Sequence, residues 1–324
     1  MLNAKIIDDP DEFQYLWNRY WPAECVLDCW GFRECFAEAF NRKSIFIVIE
    51  NGMSITGMLP LSWIDETACY SFFPGETWQG KTWIEQNRIC ASDTKSYNML
   101  LENIPGAFCA RYLHPSMKAM HNAALFPDEY NYACFPGEFN YSFDGYMQLF
   151  SGKSRKKLNR ELAQFNRYGV SFRHNCFSDL EIMFAFNKNR YGTYSYFHDE
   201  RFLKSLTALA EWLRENEMLR ITSVLIGGKA AAIDIGAIMN GTYTLLAGGT
   251  HPEFPSVAKL INFHHLKWAC AEKINCVDFM CGDFGWKERF HLTVRPFYKF
   301  TLPEPELRPQ PELSFEWSNA AYVL

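Results

Sequence analysis

The sequence predicts a two-part α/β (α+β) protein, and three observations predict it. At 324 residues the chain exceeds one ordinary core of roughly 100–200 residues. In its second half, apolar stripes at helical spacing give way to strands joined by tight turns, then to a long helix and further strands. A strand–turn–strand pattern in the first half matches one in the second in length and turn placement, as two copies of one unit would. A content of 48% hydrophobic and 17% aromatic residues excludes a disordered chain. Apolar runs such as Ile45–Ile49 and Ala230–Ile233 fall far short of the roughly 20 residues a bilayer requires, so no transmembrane segment is expected. The opening residues lack a basic flank before an apolar stretch and carry Asp8, Asp9, Asp11 and Glu12, which reads as a cytoplasmic protein.

Taken in order, Ser44–Glu50 and Met53–Leu61 read as strands around an Asn51-Gly52 turn. Ser151–Arg173 holds seven basic residues and one acid, in a chain whose net charge is −5. Leu158, Leu162 and Phe165 give it an apolar seam, and Gly169 closes the helix. Its basic face is either a solvated surface or a patch for a polyanion. Ser178-x-x-Glu181 has the form of a capping box opening a helix toward Arg190. Asp199 caps another, with Phe202, Leu206, Leu209 and Leu213 as its stripe. Leu219–Ile226, Ala230–Met239 and Thr242–Ala247 read as strands joined by Gly227-Gly228-Lys229 and Asn240-Gly241. A helix follows over about Ser256–Lys273, then strands at Val277–Met280 and Arg295–Thr301. A proline-rich tail ends the chain.

Eleven scattered cysteines read as reduced core residues. Neither Cys25, Cys29 and Cys35 nor Cys276, Cys281 and His291 has the C-x-x-C pairs of a zinc site, so no metal is expected.

The run Ser154–Leu162 before Tyr168-Gly169, the passage Thr244–Phe254, and Asp278–Phe290 resemble the FemAB-like and BioF2-like branch of the GNAT acyltransferase superfamily. The resemblance implies two GNAT-like domains in tandem, each a mixed, mostly antiparallel sheet flanked by helices, with the second better preserved. It places a degenerate unit at 1–147, an acyltransferase domain at 148–302 and a tail at 303–324. It also implies transfer of an acyl or aminoacyl group to an amine, with acyl-CoA or an acyl carrier protein as donor and no tightly bound cofactor. In such folds the long helix begins at a donor pyrophosphate, which here selects Ser256, Val257, Ala258 and Lys259, a cradle poorer in glycine than is usual. Arg155 and Lys156 of the basic helix would reach the same donor. A Phe/Tyr-Lys pair lies by the donor in Fem-type proteins, and Trp286-Lys287 is similar to it.

Several residues are candidates on their own chemistry. Asp234 alternates with Ala230, Ala232 and Gly236 on one strand face; an Asn240-Gly241 turn sets it opposite Ala247. A carboxylate among small neighbours fits the wall of a cleft and a general base, or a plain solvated face. His251 and Glu253 precede the long helix as a proton relay or as turn residues, and Asp283 and Lys287 follow the last core strand. Tyr191, Tyr194 and Tyr196 suit an acceptor pocket or packing between helices. Asp234, His251, Asp283 and Lys287 are therefore expected around one cleft between Thr242–Ala247 and Val277–Met280, with Trp286 and the tyrosines on the acceptor side.

Three functions fit this reading. The first is an N-acyltransferase for an amino sugar, amino acid or envelope precursor, by direct attack of the amine. The second is an aminoacyl-tRNA-dependent transferase of Fem type, with RNA on the basic helix. The third is a GNAT-fold binding module without activity.

Overall fold

The computed structural model describes residues 1–116, 125–282 and 285–305. Most of the proline-rich tail, from residue 306, lies outside them. The first half runs β1 (Leu2–Ile7), α1 (Pro10–Tyr20), α2 (Trp30–Phe40), β2 (Ser44–Asn51), β3 (Ser54–Ile64) and β4 (Cys69–Phe72). A small hairpin of β5 (Thr77–Trp78) and β6 (Lys81–Thr82) follows, then β7 (Cys90–Ala91), α3 (Thr94–Glu102) and β8 (Phe108–Leu113). After β9 (Phe126–Cys134), α4 (Phe143–Met147) and α5 (Gly152–Asn166), the second half runs β10 (Val170–His174), α6 (Asp179–Tyr191), α7 (Glu200–Glu215), β11 (Leu219–Ile226), β12 (Lys229–Met239) and β13 (Thr242–Thr250). It ends in α8 (Val257–Ala271), β14 (Cys276–Asp278) and β15 (Thr293–Leu302).

Each half repeats one topology. Strands β1 to β4 are antiparallel in sequence order and β8 pairs parallel to β4; β10 to β13 repeat the antiparallel set and β14 pairs parallel to β13. Two helices separate the first two strands of each set, and one helix separates the parallel pair. The expected tandem arrangement is thus present, as one continuous thirteen-stranded sheet among the described residues. The halves exchange their last strands: β9 pairs with β14, and β15 lies between β8 and β9.

Local sequence explains the second half. The Asn240-Gly241 turn takes φ of 51° and 72°, the left-handed pair that a two-residue hairpin requires, and Met239 faces Thr242 as expected. A bulge at Leu246 then shifts the register, so Asp234 faces Gly248 and not Ala247. Asp199 accepts from the Arg201 amide and opens α7, whose Phe202, Leu206, Leu209 and Leu213 are all buried. No capping box forms at Ser178; Asp179 is instead buried at the start of α6, accepting from Arg173 and the Ser223 hydroxyl. One face of β12, Ile233, Ile235 and Ala237, packs with α2, α6 and α7. The other is not a solvated face, because α8 covers it through Val257 and Ile261.

Candidate functional site

Pairing between β13 and β14 is short. It comprises Thr242 with Cys276, Tyr243 with Val277 and Thr244 with Asp278, after which β14 ends while β13 continues to Thr250. Beyond Thr244, β13 therefore runs on without β14 as its partner, within the stretch where the cleft is expected. The candidate cradle Ser256–Lys259 begins α8 beyond the end of β13, with Ser256 at φ 69° and its hydroxyl making no cap. Val257 donates to Phe254 O and Lys259 to Ser256 O in this first turn.

The basic helix α5 lies alongside. Lys259 Nζ reaches Glu161 Oε2 at 2.6 Å, while Leu158 and Leu162 pack with Phe263 of α8. Lys153, Lys156, Lys157, Arg160 and Arg167 remain exposed. Arg155 does not stand free like Lys156: its guanidinium donates to Met147 O and Gln148 Oε1 at the end of α4.

Asp234 and Lys287 belong to separate clusters. Asp234 is 8% exposed, and its Oδ2 lies 3.0 Å from Nε2 of the buried His265 on α8. Gly248 makes room for it, since a Cβ there would lie 2.1 Å from Asp234 Oδ1. Lys287 is 2% exposed and donates to three carbonyls, Phe279 O at 2.8 Å, Met280 O at 2.9 Å and Cys281 O. Burial lowers its pKa, opposed by the nearby carboxylates, Glu85 first and then Asp278 and Glu129. Its ammonium thus holds the turn after β14, a correction to its expected place at the donor. Trp286, half-buried, packs against Phe279 and Phe290 at the edge of the core, with centroids 5.7 and 5.2 Å away. Asp283 lies outside the described residues.

His251 and Glu253 form a local turn, with the Glu253 amide donating to His251 Nδ1 at 3.2 Å and the imidazole edge-on to Phe186. The tyrosines connect α6 to α7. Tyr191 and Tyr194 are exposed; the Tyr194 ring receives Lys81 at 5.1 Å, and Tyr196 donates to Thr82 O at 3.3 Å. Both contacts are to the β5–β6 hairpin of the first half.

That hairpin belongs to a segment, Glu76–Arg88, that reaches the end of β14 and carries groups the sequence did not single out. Arg33 of α2, 1% exposed, fixes it by donating to Phe73 O at 2.7 Å, Asn87 Oδ1 at 3.0 Å and Gln86 O at 3.0 Å. Gln86 Nε2 and Asn131 Nδ2 donate to Asp278 at 2.8 and 2.7 Å, so the end of β14 is held by the first half. Glu85 accepts from the Cys281 amide. Burial pushes its carboxyl up to about 7, against the pull of the Cys281 amide and Lys287. The Tyr196 phenol is also pushed up, first by burial and then by Glu85, which ties this tyrosine to the same cluster. Glu129 closes the far side, accepting from Tyr112 at 2.9 Å. Glu85 is partly exposed and titrates near neutrality beside the end of β14, as a proton acceptor for an amine requires. A lone Glu in T-W-I-E-Q-N-R carries no local signal; only its long-range pairing with Cys281 reveals it.

Residues 152–288 match the family model described as an acetyltransferase (GNAT) domain. Among solved structures, FemX aligns over 92% of this chain and 97% of its own at 9% identity and a TM-score of 0.58. A conserved protein of unknown function from Bacteroides thetaiotaomicron aligns over 93% and 99% at 14% identity and 0.57. L-PGS from Bacillus licheniformis aligns over 94% of each chain at 11% identity and 0.56. At these identities the likeness is one of fold. No curated protein matches the sequence.

Proposed function

We propose that this chain, whose residues 152–288 match a GNAT acetyltransferase domain, is an acyltransferase that moves an acyl group from a thioester, acyl-CoA or acyl carrier protein, to an amine by direct attack. The observation that carries the reading is the end of β13–β14 pairing at Thr244↔Asp278, with α8 starting beyond β13 and Glu85 bonded to the Cys281 amide just beyond β14. The donor lies along β13, with its phosphates at the positive end of the α8 dipole by the Ala258 amide and the exposed lysines of α5 nearby. The bulge at Leu246 frees a strand amide to face the thioester oxygen as charge develops there. Glu85 takes the proton from the attacking amine, and Tyr191, Tyr194 and Tyr196 line its approach. The amine nitrogen forms the new amide bond as the C–S bond breaks and the thiolate leaves, protonated in turn by solvent. Asp234, paired with His265, supports the join of β12 to α8 in this reading.

A neutral amine acceptor of an amino sugar, amino acid or envelope precursor fits this chemistry. The exposed basic face of α5 also favours a second reading, in which the donor is an aminoacyl-tRNA. The test is thiol release from a panel of acyl-CoA species with amine acceptors, beside transfer from charged tRNA. Salt separates the donors, because an RNA contact weakens steeply between 50 and 200 mM salt. Release of thiol with no acceptor product from any amine would sink the proposal.

A further inference from the structure

A second concavity lies between α1, α2 and α7, away from the end of β14 and with a volume of about 310 Å³. Its walls are indoles. Trp17 comes from α1 and Trp21 from the cap that ends it, Trp30 from α2 and Trp212 from α7, four of the ten tryptophans in the chain. Trp17 stacks on Trp21 with centroids 4.4 Å apart and meets Trp30 at 6.0 Å. Gly31 is required for this wall, because a Cβ there would lie 2.1 Å from Trp212 Nε1. Two carboxylates join the lining. Asp28 is buried against Arg88, at 3.1 Å. Glu34 accepts from Trp30 Nε1 at 2.8 Å, a neutral donor, and among the described residues no basic side chain forms an ion pair with it.

The Cys29 thiol, also in the lining, is pushed up to about 11 by burial and then by Asp28; that of Cys35 rises to about 12 through burial, Glu38 and Glu34. An indole face attracts cations through its quadrupole, and one here already does: the Arg33 guanidinium lies 5.6 Å from the Trp17 ring. We propose that this pocket binds an organic cation, an alkylammonium or quaternary ammonium group, against the indoles with Glu34 as its counter-charge. A carboxylate with only a neutral partner inside an aromatic ring of walls is an arrangement a cation completes and an anion cannot enter. The inference stands apart from the acyl-transfer reading, since none of these residues enters that reading.

The experiment is a titration of the full chain with choline chloride and with tetramethylammonium chloride, followed by tryptophan fluorescence and calorimetry. Saturable binding is expected, with no binding of 3,3-dimethylbutan-1-ol, which has the shape of choline without its charge. Glu34→Gln keeps an acceptor for Trp30 and should weaken binding roughly five- to thirtyfold, the scale of one desolvated cation contact. Equal binding of the neutral alcohol overturns the proposal, as does an unchanged Kd in Glu34→Gln. So does binding of neutral monosaccharides, through Gln14 and Asn18 on the same helix face, with no response to choline. The comparison with the alcohol uses the unaltered protein and decides the matter even if the variant fails to fold.

Discussion

Replacing Glu85 by glutamine separates chemistry from stability, because the same partly buried carboxyl sets both. Its pKa rises from 4.5 to about 7, chiefly through burial. A base of that pKa is roughly one-tenth ionised at pH 6, half at pH 7 and nine-tenths at pH 8. With an aromatic amine acceptor, whose own pKa lies below this range, kcat/KM should climb along a limb centred near 7. Glu85→Gln should erase that limb and lower kcat/KM by roughly 10²-fold or more. Stability moves the other way. The folded chain holds the Glu85 proton more tightly than the unfolded chain, so its contribution is full below about pH 4.5 and is lost as pH rises through about 7. The shift corresponds to roughly 3 kcal/mol as an upper bound, reduced by the partial exposure of the group. Urea melts should therefore show Glu85→Gln gaining on the wild type between pH 5 and pH 8. A variant that keeps the acid limb with turnover within a few-fold of wild type would refute the assignment of the base.

Other perturbations discriminate the remaining roles. Lys287→Met leaves three carbonyls without their shared ammonium and should cost roughly 3 kcal/mol or more, read as a fall in Tm. Reversing Lys156, Lys157 and Arg160 to Glu should raise the donor Kd most strongly at low salt with Tm nearly unchanged, whereas Arg155→Glu should lower Tm by releasing the end of α4. Gly248→Ala drives a Cβ onto Asp234 Oδ1 and should destabilise by about 1–3 kcal/mol in a denaturant melt. Asp234→Asn should lower Tm through its lost pairing with His265 while the pH profile keeps its limb; loss of that limb would return the base role to Asp234.

Elements with a local cause were legible from sequence. Asn240-Gly241 fixes a hairpin through two left-handed residues, and the stripe Phe202, Leu206, Leu209 and Leu213 fixes a helix, because each needs nothing beyond its neighbours. The recurrence of a strand pair in the two halves was legible for the same reason. The site was less so. Asp234 was found as an acid among small residues, but a single bulge at Leu246 moved its partner, and its bond to His265 spans 31 positions. Lys287 read as a cation beside the donor; its bonds to three carbonyls six to eight positions earlier have no signature in a residue pattern. Glu85 meets Cys281 across 196 positions, and no periodicity encodes such a contact.

The same pairing explains why two units stand where one cleft is proposed. In the first half the parallel pair is the single match Tyr70↔Phe108, and Phe72, Phe108 and Phe300 meet there with centroids 5.4 and 5.6 Å apart. These rings are part of the core of the first half. The chain between β4 and α3, which corresponds by position to the β13–α8 turn of the second half, instead extends as Glu76–Arg88 to the other cleft. There it supplies Gln86 to Asp278 and Glu85 to Cys281, with Arg33 of α2 anchoring it from behind. Exchange of β9 and β15 locks the halves in register, so the roof cannot leave without breaking the sheet. On this argument the first half is neither spare nor catalytic alone. Arg33→Met, which releases three carbonyls and Asn87, should loosen the roof, so activity should fall at temperatures where the second half is still folded by circular dichroism. Parallel loss of activity and ellipticity over the whole melt would show instead that roof and sheet unfold as one.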